Sequence, residues 1–105
     1  MSLQLQEFRN RSVIQLEDSI TLNCASELRD LLLQVLNSKN QIEIDVSRVT
    51  EFDLSAIQIL YAARLAANQT GAGLSTASPV PEVVRAAIQE SGIELIFESP
   101  SQEAR

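Results

Sequence analysis

Gln41-Ile42-Glu43-Ile44-Asp45-Val46-Ser47-Arg48-Val49-Thr50-Glu51-Phe52-Asp53-Leu54-Ser55-Ala56-Ile57 is the stretch that decides the fold. Its first six residues alternate strictly, with Ile42, Ile44 and Val46 set against Glu43 and Asp45. A strand covered on both faces reads as a near-continuous apolar run. Alternation therefore predicts a sheet with helices mainly on one side and a solvated opposite face. A loop is expected over Ser47–Asp53, followed by a helix from about Ser55, where Ile57, Leu60, Tyr61 and Leu65 have helical spacing.

Working outward, Leu3–Phe8 alternates apolar and polar residues and reads as a first strand. Arg9-Asn10-Arg11 turns the chain into a hairpin-linked second strand over Val13–Leu16. Leu28, Leu31, Leu32, Val35 and Leu36 then form one apolar stripe, with Glu27, Arg29, Asp30 and Gln34 off it. That is a helix facing a core, and Asn23 or Ser26 is its candidate N-cap. Beyond the quoted stretch, Gly71-Ala72-Gly73 ends the second helix and Leu74–Ala77 reads as a short strand. Ser78-Pro79-Val80-Pro81 opens a third helix, whose stripe is Val80, Val83, Val84, Ala87 and Ile88. Gly92 suits a left-handed cap, and Ile93–Phe97 is expected to be a last short strand or an extended tail before the polar end, 99–105. The expected order is β-β-α-β-α-β-α-β, one sheet and one helical layer in a single α/β domain over 3–98.

Composition removes several chemistries. The 105 residues include 8 basic and 14 acidic side chains, a net charge of −6, and no histidine. Ser-His-Asp and Cys-His nucleophile pairs and His-ligated zinc are thus excluded within one chain. The one cysteine, Cys24, cannot form an internal disulfide. It stands beside a helix start, where a lowered thiol pKa and a small half-buried side chain are the two readings. The thinly spread basic residues argue against nucleic acid. No run approaches the ~18 apolar residues that span a bilayer, and the N-terminus lacks a secretory pattern. The expectation is a non-enzymatic, cytoplasmic module with no cofactor, metal or direct membrane insertion.

The chemistry that remains lies where the quoted stretch turns from loop to helix. A helix N-terminus has unpaired N–H groups and partial positive charge, so it favours anions, and a serine there is a usual place for a phosphate. Asp53 or Ser55 could instead simply cap the helix. Asp45, Glu51 and Asp53 could hold a divalent cation, but a solvated acidic loop fits better without a glycine-bearing calcium pattern. Gly71-x-Gly73 lacks the rest of a dinucleotide loop and reads as a turn. Tyr61 is expected in the core, with its hydroxyl at the rim.

Here the chain resembles the STAS domain family of sulphate-transporter tails and bacterial anti-sigma factor antagonists. That family has a strand of the type Ile44-Asp45-Val46-Ser47, then a hydrophobic-Asp-Ser-x-Gly-hydrophobic turn and a helix. Phe52-Asp53 matches the hydrophobic-Asp pair, and Ala56-Ile57 follows the turn. Ala25-Ser26-Glu27-Leu28-Arg29, within Leu22–Leu33, looks like the family's Ala-x-x-Leu-Arg helix. Ser78-Pro79 and the helix to Gly92-Ile93 look like its Pro-x-Val-x-x-x-Leu-x-x-x-Gly ending.

The resemblance implies a partner-binding face at Phe52, Asp53, Leu54, Ser55, Ala56 and Ile57. It implies as partner a kinase-type anti-sigma factor, or a signalling or chemotaxis component. The alternative is an accessory subunit of a lipid-type ABC transporter, docked on its ATPase. One departure bears on the choice. In antagonists that switch by phosphorylation the acceptor hydroxyl directly follows the aspartate, and that position is Leu54. Ser55, one residue later, is the candidate acceptor, and Ala56 stands where glycine is usual. Leu54 is either a contact residue or core filler. The edge strand at Leu3–Phe8 would permit a homodimer without requiring one.

Overall fold

The computed structural model describes residues 3–38, 40–71, 73–76 and 80–93. The elements are β1 (Leu3–Glu7), β2 (Arg11–Ile20), a 3-10 turn (Leu22–Cys24), α1 (Ala25–Leu36), β3 (Gln41–Phe52), α2 (Leu54–Thr70), β4 (Leu74–Thr76) and α3 (Glu82–Ser91). The described strands form one sheet in the order β1-β2-β3-β4. β1 pairs antiparallel with β2, and the β2–β3 and β3–β4 pairs are parallel. This is the mixed α/β architecture with helices on one face that the alternation at 41–46 predicts. The expected last strand or extended tail, 93–97, lies outside the described residues apart from Ile93, which packs against the core.

One cluster fills the space between sheet and helices. Ile14, Leu16, Ile20, Ile42, Ile44 and Val46 meet Leu28, Leu32 and Val35 of α1, Leu60 and Ala67 of α2, and Val84 of α3. Burying such side chains stabilises by about 1.5–3 kcal/mol each. The opposite face carries Gln4, Gln15, Glu43 and Asp45, none of them buried.

Two expectations about strand length need correction. β2 begins at Arg11 and runs on to Ile20, beyond Val13–Leu16. β3 also continues to Phe52, so Ser47–Asp53 is not a loop. The physical reason lies in the register. Gln15 and Glu17 of β2 oppose Asp45 and Arg48 of β3, and Asp18 and Ser19 oppose Val49 and Glu51. Each interval gives β3 one residue more than its partner, which is a β-bulge. The buried positions after Val46 are therefore Val49 and Phe52, three apart rather than two. Asp18, at the second irregularity, takes φ 63°, a left-handed conformation that aspartate tolerates better than most residues.

The helices also depart from the expected stripes. α2 buries Ala56, Ile57, Leu60, Ala63 and Ala67, so its inner face is built largely from alanines. Tyr61 and Leu65, expected inside, are exposed, and so is Val83 of α3. α1 starts at Ala25 with Cys24 as N-cap and no side-chain cap bond, so neither Asn23 nor Ser26 caps it. α2 closes on Gly71 in the left-handed region, φ 83°, with its N–H reaching back to Ala67 and Asn68 carbonyls.

Candidate functional site: the start of the second helix

β3 ends at the core residue Phe52, and the next residue, Asp53, takes an extended conformation as N-cap of α2. Its backbone is held from both sides. The Asp53 N–H donates to the Ile20 carbonyl at 3.3 Å, and the Ile57 N–H donates to the Asp53 carbonyl at 3.2 Å. The side chain does more. Oδ1 accepts from the Ser55 hydroxyl at 2.6 Å and the Ala56 N–H at 3.2 Å. Oδ2 accepts from the Leu22 N–H at 2.9 Å, 31 residues away in sequence. One carboxylate thus ties the turn before α1 to the start of α2.

The electrostatics follow from these donors. Partial burial raises the carboxyl, but the Ser55 hydroxyl and the N–H groups of Ala56, Leu22 and Ser55 outweigh it, so the Asp53 pKa is lowered. Asp53 stays an anion at neutral pH, as a helix N-terminus favours.

The six residues expected on the docking face separate into two groups. Phe52, Ala56 and Ile57 belong to the core, buried to 6%, 1% and 1% exposure, and offer little to a partner. They face inward because the two bulges cancel and leave Phe52 on the sheet's inner face, and α2 turns its Ala56–Ile57 side onto it. Leu54 stands at the first helical position and is 50% exposed, so it is not core filler. Asp53 and Ser55 are half-buried between them. The Ser55 hydroxyl is engaged by Asp53, and a phosphate there would place ~1.5–2 negative charges beside that carboxylate.

Sequence reasoning missed two participants. Leu22, whose N–H Asp53 binds, is 72% exposed. The last turn of α3 brings Ala87, Glu90 and Ser91 opposite Phe52, Leu54 and Ile57 across a cleft of about 340 Å3. Neither carries a local signal, since both depend on tertiary packing of distant segments.

The remaining candidates have structural occupations. Asp45 accepts from the Ser47 N–H and hydroxyl at 3.0 and 2.7 Å. Glu51 accepts from the Ser19 hydroxyl at 2.9 Å. Among the described residues, no three His, Cys, Asp or Glu side chains group as metal ligands. Cys24 is buried, with its thiol toward the Thr21 carbonyl at 3.4 Å and the Ser19 carbonyl at 3.7 Å. It is a small packed side chain. No described helix is long and apolar enough to cross a membrane.

An open-faced α/β sandwich with an aspartate-capped helix after its third strand is the architecture of STAS domains. The chain belongs to the family described as Mlab, STAS domain, whose model matches residues 3–97. No curated protein matches the sequence. Among solved structures it is similar to the Bacillus cell fate determinant SpoIIAA in its phosphorylated form, at 17% identity and TM-score 0.71, over 97% of this chain and 95% of that one. It is similar also to the anti-sigma factor antagonist SpoIIAA in its unphosphorylated form, at 14% identity and TM-score 0.71, over 97% and 93%. Mglu matches at 14% identity and TM-score 0.66 over 74% of this chain, which spans only 20% of Mglu. At such identities the likeness is one of fold, and that fold is anti-sigma-factor-antagonist-like.

Proposed function

We propose that this chain is a non-enzymatic, cytoplasmic regulatory module that holds a protein partner through the exposed start of α2. The partner class is a kinase-type anti-sigma factor or a signalling or chemotaxis component. The observation that carries the reading is Leu54, half-exposed at the first position of a helix whose start is held in place by Asp53. An apolar side chain presented on a rigid element is a suitable anchor for a partner pocket. The fold shared with an anti-sigma factor antagonist supports the partner class.

A second reading is favoured by the same position. Leu54 has no hydroxyl, and that of Ser55 is bound to Asp53. A partner held without phosphorylation suits a permanent subunit, such as an accessory subunit docked on the ATPase of a lipid-type ABC transporter.

Affinity capture of the tagged full chain from its native cells, with Leu54→Glu alongside, tests both. Recovery of an ATP-binding kinase-type regulator by the wild type alone supports the first reading. Transporter ATPase and membrane subunits support the second. Capture of the same partner by Leu54→Glu sinks the site. Ser55→Asp should weaken a switched partner while Ser55→Ala does not, and equal capture by both removes the switch.

A further inference from the structure

The outer surface of α2 is nearly uncharged, although the protein carries a net charge of −6. Across its 17 residues α2 has one charged side chain, Arg64, and no carboxylate. Leu54, Tyr61 and Leu65 stand exposed on it. Beside them an open groove of about 420 Å3 runs between α1 and α2, lined by Leu33 and Leu36 of α1 and by Ala62, Ala63 and Ala66 of α2. The polar lining residues are Arg29 and Gln58. Each lies one turn into its helix, and the two helices start side by side at Asp53, so both mark the same end of the groove.

We propose that this groove docks a single amphipathic helix of a partner protein, its apolar stripe on the alanines and leucines and an acidic side chain at the Arg29 end. The inference rests on the interaction-module reading and names the chemistry of that partner. Size argues for one helix. A helix of 17 residues is about 25 Å long, and two neighbours lie roughly 10 Å apart, giving a face on the order of 250 Å2. That falls short of the ~800 Å2 per partner of a stable protein pair, which tells against a second copy of this chain, as does bringing two acidic chains together. A helix about 10–12 Å across covers the whole face. An acyl chain would fill the groove but leave Tyr61 and Leu65 in water. Charge argues for the acidic side chain. Arg29 is the one charged lining residue, and its ion pair among the described residues is with Asp30 at 3.9 Å, both largely exposed.

A photocrosslinking residue placed at Ala62 and, separately, at Ala66 of the full chain in its native cells tests this, with the joined residues mapped by mass spectrometry. Both positions are expected to join one partner segment at residues three, four or seven apart. A synthetic peptide of that segment should then bind the purified chain, Arg29→Glu should weaken it about 10-fold, and a charge-reversed peptide should recover the loss. Joining to a second copy, joining to a lipid, non-helical spacing or no adduct overturns the proposal, as does a peptide indifferent to Arg29→Glu. Circular dichroism checks that the variants fold. If the groove joins nothing while Leu54→Glu still releases the native partner, the helix reading falls and the interaction module stands.

Discussion

The starts of α1 and α2 lie side by side and are built by opposite means. α2 begins on its own cap, Asp53, whose carboxylate binds the Ala56 N–H within one turn. α1 begins on Cys24, which makes no side-chain cap bond, and is preceded by a 3-10 turn whose Leu22 N–H is bound by that same Asp53. One start is satisfied locally and the other borrows from across the fold. The lesson is that a helix start unmarked in the sequence can be held through the turn ahead of it rather than by a cap of its own.

The largest effect should come from removing the shared group. Asp53→Ala loses the cap of α2 and the acceptor for Leu22 together, and should lower unfolding free energy by about 2–3 kcal/mol in urea titrations. Amide exchange should quicken at both starts. Exchange that quickens at Ala56 alone would break the comparison. Acid sharpens the same point. Because the folded pKa of Asp53 is lowered, its contribution is fully present above the unfolded value of ~3.9 and is lost as pH falls through the folded value. The stability gap between wild type and Asp53→Asn should therefore close below about pH 4. A gap that widens there would show that the carboxylate is not what the donors hold.

Ser55→Ala removes one donor to Oδ1 and leaves Leu22 paired, so it should cost only about 0.5–1 kcal/mol, with exchange altered at the start of α2 and not at Leu22. Leu54→Glu should be smallest, within about 0.5 kcal/mol, because the side chain is half in water and a carboxylate suits a helix N-terminus. A drop of several kcal/mol would return Leu54 to the core.

These contrasts also show what was legible in the sequence. Alternation from Ile42 to Val46 and the stripe from Leu28 to Val35 are local, and both elements appear where they were read. The second half of β3 was not legible, because two bulges replace a period of two with a period of three and Val49 and Phe52 then look like loop residues. Tyr61 and Leu65 have helical spacing from Leu54 as well as from Ile57. With alanines doing most of the inner packing, the bulky residues did not mark the buried side. At the candidate site, Asp53 as a cap could be read from its place before the helix. Its bond to Leu22 could not, since a contact across 31 residues leaves no trace in either segment.

The paired bulges in β3 carry a consequence for how this segment can change length. Eight residues from Asp45 to Phe52 cover the span that six, from Gln15 to Ile20, cover in β2. The two surplus residues cancel in the facing of the strand. Losing one of them would turn Phe52 to solvent and swing Asp53 away from Leu22, whereas losing both would restore plain alternation with Phe52 still inside. Over this stretch, lineages of such a chain should lengthen or shorten two residues at a time.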